Sequence, residues 1–192
     1  MVAWRGRMAR SALRLFAAAT MYARRDPSRV HVDRAMNIIT KVKKLDLPLG
    51  QYVVIGSGIM AQLGLREAND VDIAVTPDLY ATLRASGQWE EAERYGKIFL
   101  KKEVVEINPR LDWESYSTTV EAAIASATII DGVPFMDLNE LVKFKRGLGR
   151  AKDLADIVII EAYLAGLVDG GGGWRRECVS NRKRTNKRPR EK

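Results

Sequence analysis

The sequence has 192 residues, of which 46% are apolar and 29% are charged, so it is long and apolar enough to bury the core of one globular domain. Its single cysteine, Cys178, excludes an internal disulfide, and with the single histidine, His31, it leaves no ligand set for a zinc site and no triad. No apolar run approaches the ~18 residues of a transmembrane helix. We therefore expect a cytoplasmic protein without a membrane span.

Charge divides the chain into three parts. Residues 1–30 hold seven Arg and one Asp, and residues 170–192 hold nine Lys or Arg and two Glu, so the two ends carry +6 and +7. Because the net charge is +8, residues 31–169 carry −5. We predict a basic N-terminal extension over 1–30, a folded domain over 31–169 and a disordered basic tail over 170–192. Contact with a nucleic acid is expected only through the basic ends.

The N-terminal extension has two interpretations. Its apolar residues recur every three or four positions, which predicts an amphipathic helix that packs on the domain. Residues 1–25 also contain six arginines and no acid, a composition typical of a mitochondrial-type transit peptide. The residues on the predicted apolar face are Trp4, Met8, Ala12, Leu15, Ala19 and Tyr22.

The folded domain alternates between predicted helices and short strands. The predictions in chain order are a helix over 33–45, a turn over 46–50, a strand over 52–55, a glycine turn, a helix over 59–67, a strand over 71–75, a helix that begins at Thr76 or Pro77, a polar stretch, one or two strands over 97–108, a helical piece, and strands over 127–130 and 133–136. The domain is thus expected to be α/β (α+β), with a small mixed sheet flanked by helices.

Two helices are predicted at the C-terminal end of the domain. Asp137 with Glu140 three residues later is a capping box, which predicts a helix start ahead of "LVKFK". Gly147 and Gly149 are expected to interrupt this helix. The stretch "KDLADIVIIEAYLAGL" predicts an amphipathic helix. Its related turns carry Leu154, Ile157, Glu161, Leu164 and Leu167.

The strongest motif is the glycine turn after the strand over 52–55. Gly56-Ser57-Gly58 joins an apolar strand to a helix, a setting in which backbone N–H groups bind phosphate. With Ala61 the turn reads G-x-G-x-x-A, close to the dinucleotide-binding fingerprint of a Rossmann fold. It reads equally as the Gly-Ser of a nucleotidyltransferase.

The next acidic residues favour a metal over a dinucleotide. In a Rossmann unit the acid that binds the ribose lies about 20 residues past the fingerprint, at the end of the second strand. Asp70 and Asp72 come 14 and 16 residues after Gly56, where the second predicted strand begins. Residues two apart on a strand project from one face, about 6.6–7 Å apart. Such a carboxylate pair can hold Mg²⁺.

On these residues the chain resembles the nucleotidyltransferases of the DNA polymerase beta superfamily, in particular small bacterial members of the AbiEii-toxin and antibiotic-transferase type. The first matching stretch is "VVIGSGIMAQLGLREANDVDIAV". The second is "LNELVKFKRGLGRAKDLADI", similar to a helix pair in which a lysine precedes a Gly-Arg-x-Lys-Asp turn. The resemblance spans about residues 30–167 and implies a minimal nucleotidyltransferase fold with C-terminal helices, in a toxin–antitoxin or antibiotic-modifying setting.

The resemblance implies a set of site residues. Asp70 and Asp72 would bind Mg²⁺ or Mn²⁺, and Glu106, where the family more often has aspartate, would be the third carboxylate. Gly56 and Ser57 would bind the triphosphate of an NTP. Lys145 and Arg150 would supply cations for its phosphates.

The implied reaction is attack by an acceptor hydroxyl on the α-phosphorus of an NTP, with release of pyrophosphate. The acceptor stays open among an RNA end such as that of a tRNA, a protein and a small molecule. Two alternatives also stay open. One is a non-catalytic nucleotide- or nucleic-acid-binding module on the same fold, and the other is a Rossmann dinucleotide-binding protein.

Overall fold

The structure is a computed structural model that describes residues 38–113 and 115–168. The predictions for the basic extension over 1–30 and for the tail over 170–192 lie outside the described residues, as does the predicted helix start at residue 33. The described residues form one mixed sheet with helices around it, which confirms the predicted fold class.

The sheet has seven strands within the described part of the chain. They are β1 (Tyr52–Ile55), β2 (Val71–Val75), β3 (Glu90–Arg94), β4 (Lys97–Lys102), β5 (Val105–Asn108), β6 (Thr128–Ile130) and β7 (Val133–Phe135). Their spatial order is β3-β4-β5-β2-β1-β7-β6. The two central strands, β1 and β2, are therefore flanked on both sides.

Six helical segments are described. They are α1 over 38–44, α2 (Gly58–Gln62), α3 (Pro77–Ala85), α4 (Val120–Ala125), α5 (Leu138–Leu148) and α6 (Ala151–Leu164). Pro77 occupies the first turn of α3, where its missing N–H costs nothing. Asp137 accepts hydrogen bonds from the backbone N–H groups of Asn139 and Glu140, which confirms the predicted N-cap of α5.

Central strands in this sheet are almost wholly apolar because both of their faces are covered. Val53, Val54 and Ile73 are fully buried, and the continuous run "YVVI" has no polar alternation. The helix α2 packs on one of these faces. A Cβ on Gly58 would lie 2.8 Å from Val54 Cγ1, so glycine permits this close approach.

Strand directions at the centre decide between the two interpretations of the glycine turn. β1 and β2 are antiparallel, with Ile55 opposite Asp72, whereas β2 and β5 are parallel. A Rossmann unit joins two parallel strands through its glycine turn and helix. The Rossmann alternative is therefore wrong for this turn.

The predicted elements differ from the structure in three places. The helix predicted over 59–67 ends at Gln62, because Gly64 adopts a φ of +65° and turns the chain. The polar stretch before residue 97 contains the strand β3, whose sequence "EEAER" has no apolar alternation. β3 lies at the edge of the sheet, where charged residues prevent pairing with another chain.

The third difference concerns the C-terminal helices. Gly147 does not interrupt α5, and the helix ends instead at Gly149, whose φ is +63°. A Cβ on Gly147 would lie 2.6 Å from Tyr116 Cβ, so this glycine makes room for a neighbouring segment. In α6 the predicted apolar face is partly wrong, because Leu154 is 54% exposed while Asp153 and Asp156 are buried. The other predicted inward residues that are exposed are Glu161, Leu164 and Leu167.

Candidate functional site

Gly56 brings the glycine turn into contact with a carboxylate of β2. Gly56 follows β1 and has a φ of +67°, a conformation that glycine adopts without strain. A Cβ at this position would lie 2.8 Å from Asp72 Oδ2. Any side chain larger than hydrogen would therefore displace the carboxylate. The phosphate-binding motif and the acidic motif of the sequence meet at this point.

Asp72 has a second acidic neighbour across the sheet. It lies beside Glu106 in the parallel register of β2 and β5, so the two side chains share a face. Burial, Asp70 and Glu106 together raise the pKa of Asp72 to about 7, against the opposing effects of Lys152 and Arg94. Asp72 is thus close enough to both of the other predicted metal ligands to be repelled by them.

Asp70 lies at the margin of this group. It precedes β2 by one residue and is exposed to solvent. It also borders a cavity of about 220 Å³. The lining residues are Ile38, Lys41, Ala68, Asn69, Asp70, Val71 and Val104.

Glu106 is held by cations of the neighbouring strands. Arg94 of β3 forms a salt bridge with its carboxylate, and Lys101 Nζ of β4 lies 3.8 Å from Glu106 Oε2. Lys101 faces Glu106 directly in the antiparallel register of β4 and β5. Glu106 therefore lies on the same face of the sheet as Asp72, but its charge is already paired.

The carboxylates fit a hard divalent cation only in part. Across residues 38–113 and 115–168, no three His, Cys, Asp or Glu side chains converge as a ready-made metal site. Asp72 has neither a hydrogen bond nor a salt bridge within the same residues, and a cation would relieve its repulsion with Asp70 and Glu106. Asp70 and Asp72 thus suit Mg²⁺, which prefers carboxylate oxygens and retains several waters. Glu106 would join them after exchanging Arg94 for the ion.

Ser57 follows Gly56 at the start of α2 and is buried. Its hydroxyl does not cap the helix, although its carbonyl accepts the hydrogen bond of Ala61. α2 has only five residues, so its dipole adds little, and any anion here would be bound by the local N–H groups of the turn.

Lys145 lies in a buried ionic network and not at the glycine turn. Its Nζ is 2.7 Å from Asp156 Oδ2 and 3.4 Å from Asp153 Oδ1, and the residue is 4% exposed. Arg66 Nε lies 2.8 Å from Asp156 Oδ1 without the geometry of a hydrogen bond. These pairs link α5, α6 and the segment after α2. A phosphate contact by Lys145 stays a prediction, and the arrangement does not favour it.

Arg150 connects this network with the carboxylates. Its Nε donates to Asp153 Oδ2 at 2.6 Å, and its side chain is 49% exposed. The hydrogen bond to Asp153 raises the pKa of Arg150 most, and the nearby Tyr95 hydroxyl and Asp72 carboxylate raise it further. Arg150 is therefore close enough to Asp72 for the two charges to interact.

Sequence reasoning missed the cations that surround Glu106. Arg94 lies on the strand that had no apolar alternation, so its salt bridge across β4 to Glu106 could not be assigned. Lys101 shares a predicted strand with two other lysines, and only the register identifies the one that faces Glu106. Opposite charges on neighbouring strands would have been the useful signal.

Comparison with solved structures finds a likeness of fold. The chain is similar to a solved structure of an antigenic nucleotidyltransferase-like protein from Paracoccidioides brasiliensis. The sequences are 16% identical, the alignment covers 68% of this chain and 74% of the other, and the TM-score is 0.37. At this TM-score the likeness bears on neither activity nor substrate. No protein-family model and no curated protein matches the chain.

Among the described residues, no helix is long and apolar enough to cross a membrane.

Proposed function

We propose that this chain is a metal-dependent nucleotidyltransferase, which moves a nucleoside monophosphate from an NTP to a hydroxyl acceptor and releases pyrophosphate. The acceptor would be an RNA end, a protein or a small molecule. The proposal places the NTP triphosphate at the Gly56-Ser57 turn and the reacting α-phosphorus beside Asp72.

One observation carries the proposal. The Asp72 carboxylate lies directly against Gly56. Its Oδ2 is 2.8 Å from the position that a Cβ on Gly56 would take. An anion bound by the N–H groups of the turn would therefore lie next to a carboxylate that has no partner among the described residues. The two negative charges would repel each other, and a divalent cation between them would remove that repulsion.

The chain's own residues divide the work. Asp70 and Asp72, joined by Glu106, would hold Mg²⁺ or Mn²⁺, which when bound supplies charge neutralisation for the attacking and leaving oxygens. Gly56 and Ser57 would orient the triphosphate through backbone N–H groups. Arg150, which is half exposed and near Asp72, would bind a phosphate oxygen.

The proton of the acceptor hydroxyl needs an accepting group. The pKa of Asp72 is raised to about 7, but a carboxylate oxygen that binds the metal is not free to take a proton. Glu106 is the other carboxylate of this face. It would bind the metal through one oxygen and accept the proton on the other, once Arg94 has turned to the phosphates. Ser57 is not proposed as a nucleophile because the described residues contain no histidine that could act as its base.

A second candidate function is a nucleotide-binding module without turnover. The salt bridge between Arg94 and Glu106 favours it, because a third carboxylate that stays paired cannot complete a two-metal site. This candidate keeps the phosphate contact at Gly56 and predicts binding without release of pyrophosphate.

The test incubates purified full-length protein with each α-labelled NTP, Mg²⁺ and fractions of a cell extract that contain RNA, protein or small molecules. The proposed transferase labels one fraction and releases pyrophosphate in equal amount, and EDTA stops both. If NTP binds but no fraction becomes labelled, the binding module replaces it. Asp131→Asn is the matched control for Asp72→Asn, because Asp131 is an exposed turn residue between β6 and β7.

A further inference from the structure

The hairpin that joins β3 and β4 carries an exposed aromatic ring next in sequence to a side chain that reaches the carboxylates. Arg94 ends β3 and Lys97 begins β4, so Tyr95 and Gly96 form a two-residue loop. Tyr95 is 70% exposed, and the preceding residue, Arg94, reaches Glu106. The ring is thus one residue away from a side chain of the proposed site.

The backbone at this loop is unusual for a tyrosine. Both Tyr95 and Gly96 have a positive φ, at +54° and +65°, as a type I′ turn requires. Asn, Asp or Gly is favoured at the first position, and a bulky residue there is strained. Burial does not offset this strain, since most of the ring faces solvent. A strained residue with an exposed ring next to a candidate site suggests a use for the ring.

A second aromatic ring fixes the position of the first. The rings of Tyr95 and Trp113 are 4.7 Å apart and meet edge to face at 79°. Lys97 also contacts Trp113. Its Nζ lies 5.3 Å from the centre of the indole ring and donates a hydrogen bond to the carbonyl of the preceding residue, Asp112. The backbone of Trp113 also pairs with Tyr116, which packs against α5 at Gly147. The Tyr95–Trp113 pair is therefore connected to β4 through Lys97 and to α5 through Tyr116.

Basic side chains lie among the aromatic rings of this region. Lys97 contacts Trp113, and Arg94 lies over the ring of Phe99 at 4.8 Å. The charge of Arg150 interacts with both Tyr95 and Asp72. Aromatic rings interleaved with basic side chains are the usual surface for an unstacked nucleobase and its phosphates.

We infer that Tyr95, held in place by its edge-to-face contact with Trp113, is a stacking platform for a nucleobase at the rim of the Asp72 site. The inference rests on the proposed function, because it supplies a place for the base of a nucleotide whose phosphates lie at Gly56 and Arg150. The base has two sources, the NTP itself and the last nucleotide of an RNA acceptor. Both present the same planar ring to Tyr95.

The test measures binding of three probes to the full chain in Mg²⁺. They are etheno-ATP, a short single-stranded RNA that ends in 2-aminopurine, and inorganic tripolyphosphate, which has no base. The variants are Tyr95→Phe, which keeps the ring, and Tyr95→Asn, which removes the ring while suiting the turn. Ile129→Ala is the control, because Ile129 is an exposed apolar residue on β6 at the opposite edge of the sheet.

One base stacked on an aromatic ring contributes roughly tenfold to the affinity, so removing the ring should weaken binding by about that factor. We expect Tyr95→Asn to lose about this factor for a base-bearing probe and nothing for tripolyphosphate, with Tyr95→Phe and Ile129→Ala close to wild type. A loss confined to etheno-ATP assigns the platform to the NTP, and a loss confined to the RNA assigns it to the acceptor.

Two further measurements on Tyr95→Asn complete the test. The melting temperature shows whether the variant is folded, and the transfer assay shows whether the protein is a transferase. Tyr95→Asn is expected to melt no lower than wild type, so the loss of binding cannot come from unfolding. If the wild type binds neither base-bearing probe, or Tyr95→Asn binds both as wild type does, the platform is refuted whatever the transfer assay shows. If Tyr95→Asn loses a probe but the wild type transfers no label, the platform stands and the transferase proposal fails.

Discussion

Two groups of carboxylates lie within the domain and differ in how their charge is balanced. In the α5–α6 network, Asp153 and Asp156 are buried at 0% and 3% exposure, and each has two basic partners. Asp72 of β2, which lies opposite the last residue of β1, has no salt bridge within the described residues and is repelled by both Asp70 and Glu106. The charges of the first group are balanced within the domain, whereas those of the second group are not.

The pKa directions of the two groups reflect this difference. Burial would raise the pKa of Asp153, but the hydrogen bond from Arg150 and the charge of Lys145 outweigh it and lower that pKa. Burial also raises the pKa of Asp72, and there its neighbours add to the effect. Removing charge should therefore destabilise the network and stabilise the metal-free site.

The largest effect is expected at Asp72. The variant Asp72→Asn should lower nucleotidyl transfer by about a hundred- to a thousandfold, the loss typical of a preorganised electrostatic group. The change keeps the shape of the side chain, so folding should persist. A rate assay with labelled NTP measures the loss, and Asp131→Asn should remain at the wild-type rate. A variant with more than about a tenth of the activity would contradict the role of Asp72.

Loss of a cation from the network should cost about 3 kcal/mol in the free energy of unfolding. The variant Lys145→Met leaves two buried carboxylates short of one partner, and breaking a buried pair costs ~3–5 kcal/mol. The lower end applies because Arg150 and Arg66 remain. Denaturant unfolding measures it, with Lys143→Met as the control, since Lys143 pairs with Glu140 at the surface. Equal stabilities of the two variants would show that the network is not structural.

The metal-free protein should lose stability as the pH rises from about 4 to about 7. In this window the unfolded state has already released the proton of Asp72, at a pKa near 3.8, while the folded state retains it up to about 7. The unfolded state then binds fewer protons, so the free energy of unfolding falls with pH. The effect is roughly 1.4 kcal/mol for each pKa unit, reduced because solvent reaches this carboxylate.

Unfolding in EDTA at several pH values measures this slope. Asp72→Asn should flatten it and should be more stable than wild type at pH 8. If the slope is unchanged in the variant, a different group titrates.

The smallest change in stability is expected at two glycines. Comparing them distinguishes the cost of a strained backbone from an effect on the candidate site. Gly56 and Gly87 have similar φ values of +67° and +66°, but a Cβ on Gly87 would meet nothing within 4 Å. Both Gly56→Ala and Gly87→Ala should lose about 1 kcal/mol of stability. Only Gly56→Ala should also lose NTP binding, because its Cβ would displace Asp72. Binding unchanged in both variants would remove Gly56 from the site.

Local sequence patterns predicted much of the fold. The bounds of β1 and β2 follow from short apolar runs, and the starts of α3 and α5 follow from Pro77 and Asp137. The strand β3 could not be predicted, because an edge strand buries little and "EEAER" has no apolar period. The same absence of pattern hid Arg94.

The candidate site was predicted in part for a physical reason. Asp72 is close in sequence to the glycine turn, and because β2 runs antiparallel to β1 it comes back beside Gly56. The environment of Lys145 depends on a turn between two helices that decides whether the ammonium meets Asp156 or solvent. Helical periodicity wrongly predicted that Leu154 faces inward. The pattern counts only apolar residues as buried, whereas here Asp153 and Asp156 are buried because they pair with Lys145.

The central claim is that Gly56 and Asp72 form one site in which a nucleotide triphosphate and Mg²⁺ depend on each other. Calorimetric titration of ATP with Mg²⁺ and with EDTA, on wild type and on Asp72→Asn, tests it most directly. We predict that Mg²⁺ tightens ATP binding to the wild type, that ATP tightens Mg²⁺ binding by the same factor, and that Asp72→Asn abolishes this coupling. Equal ATP affinity in wild type with Mg²⁺, wild type with EDTA and the variant would contradict the account.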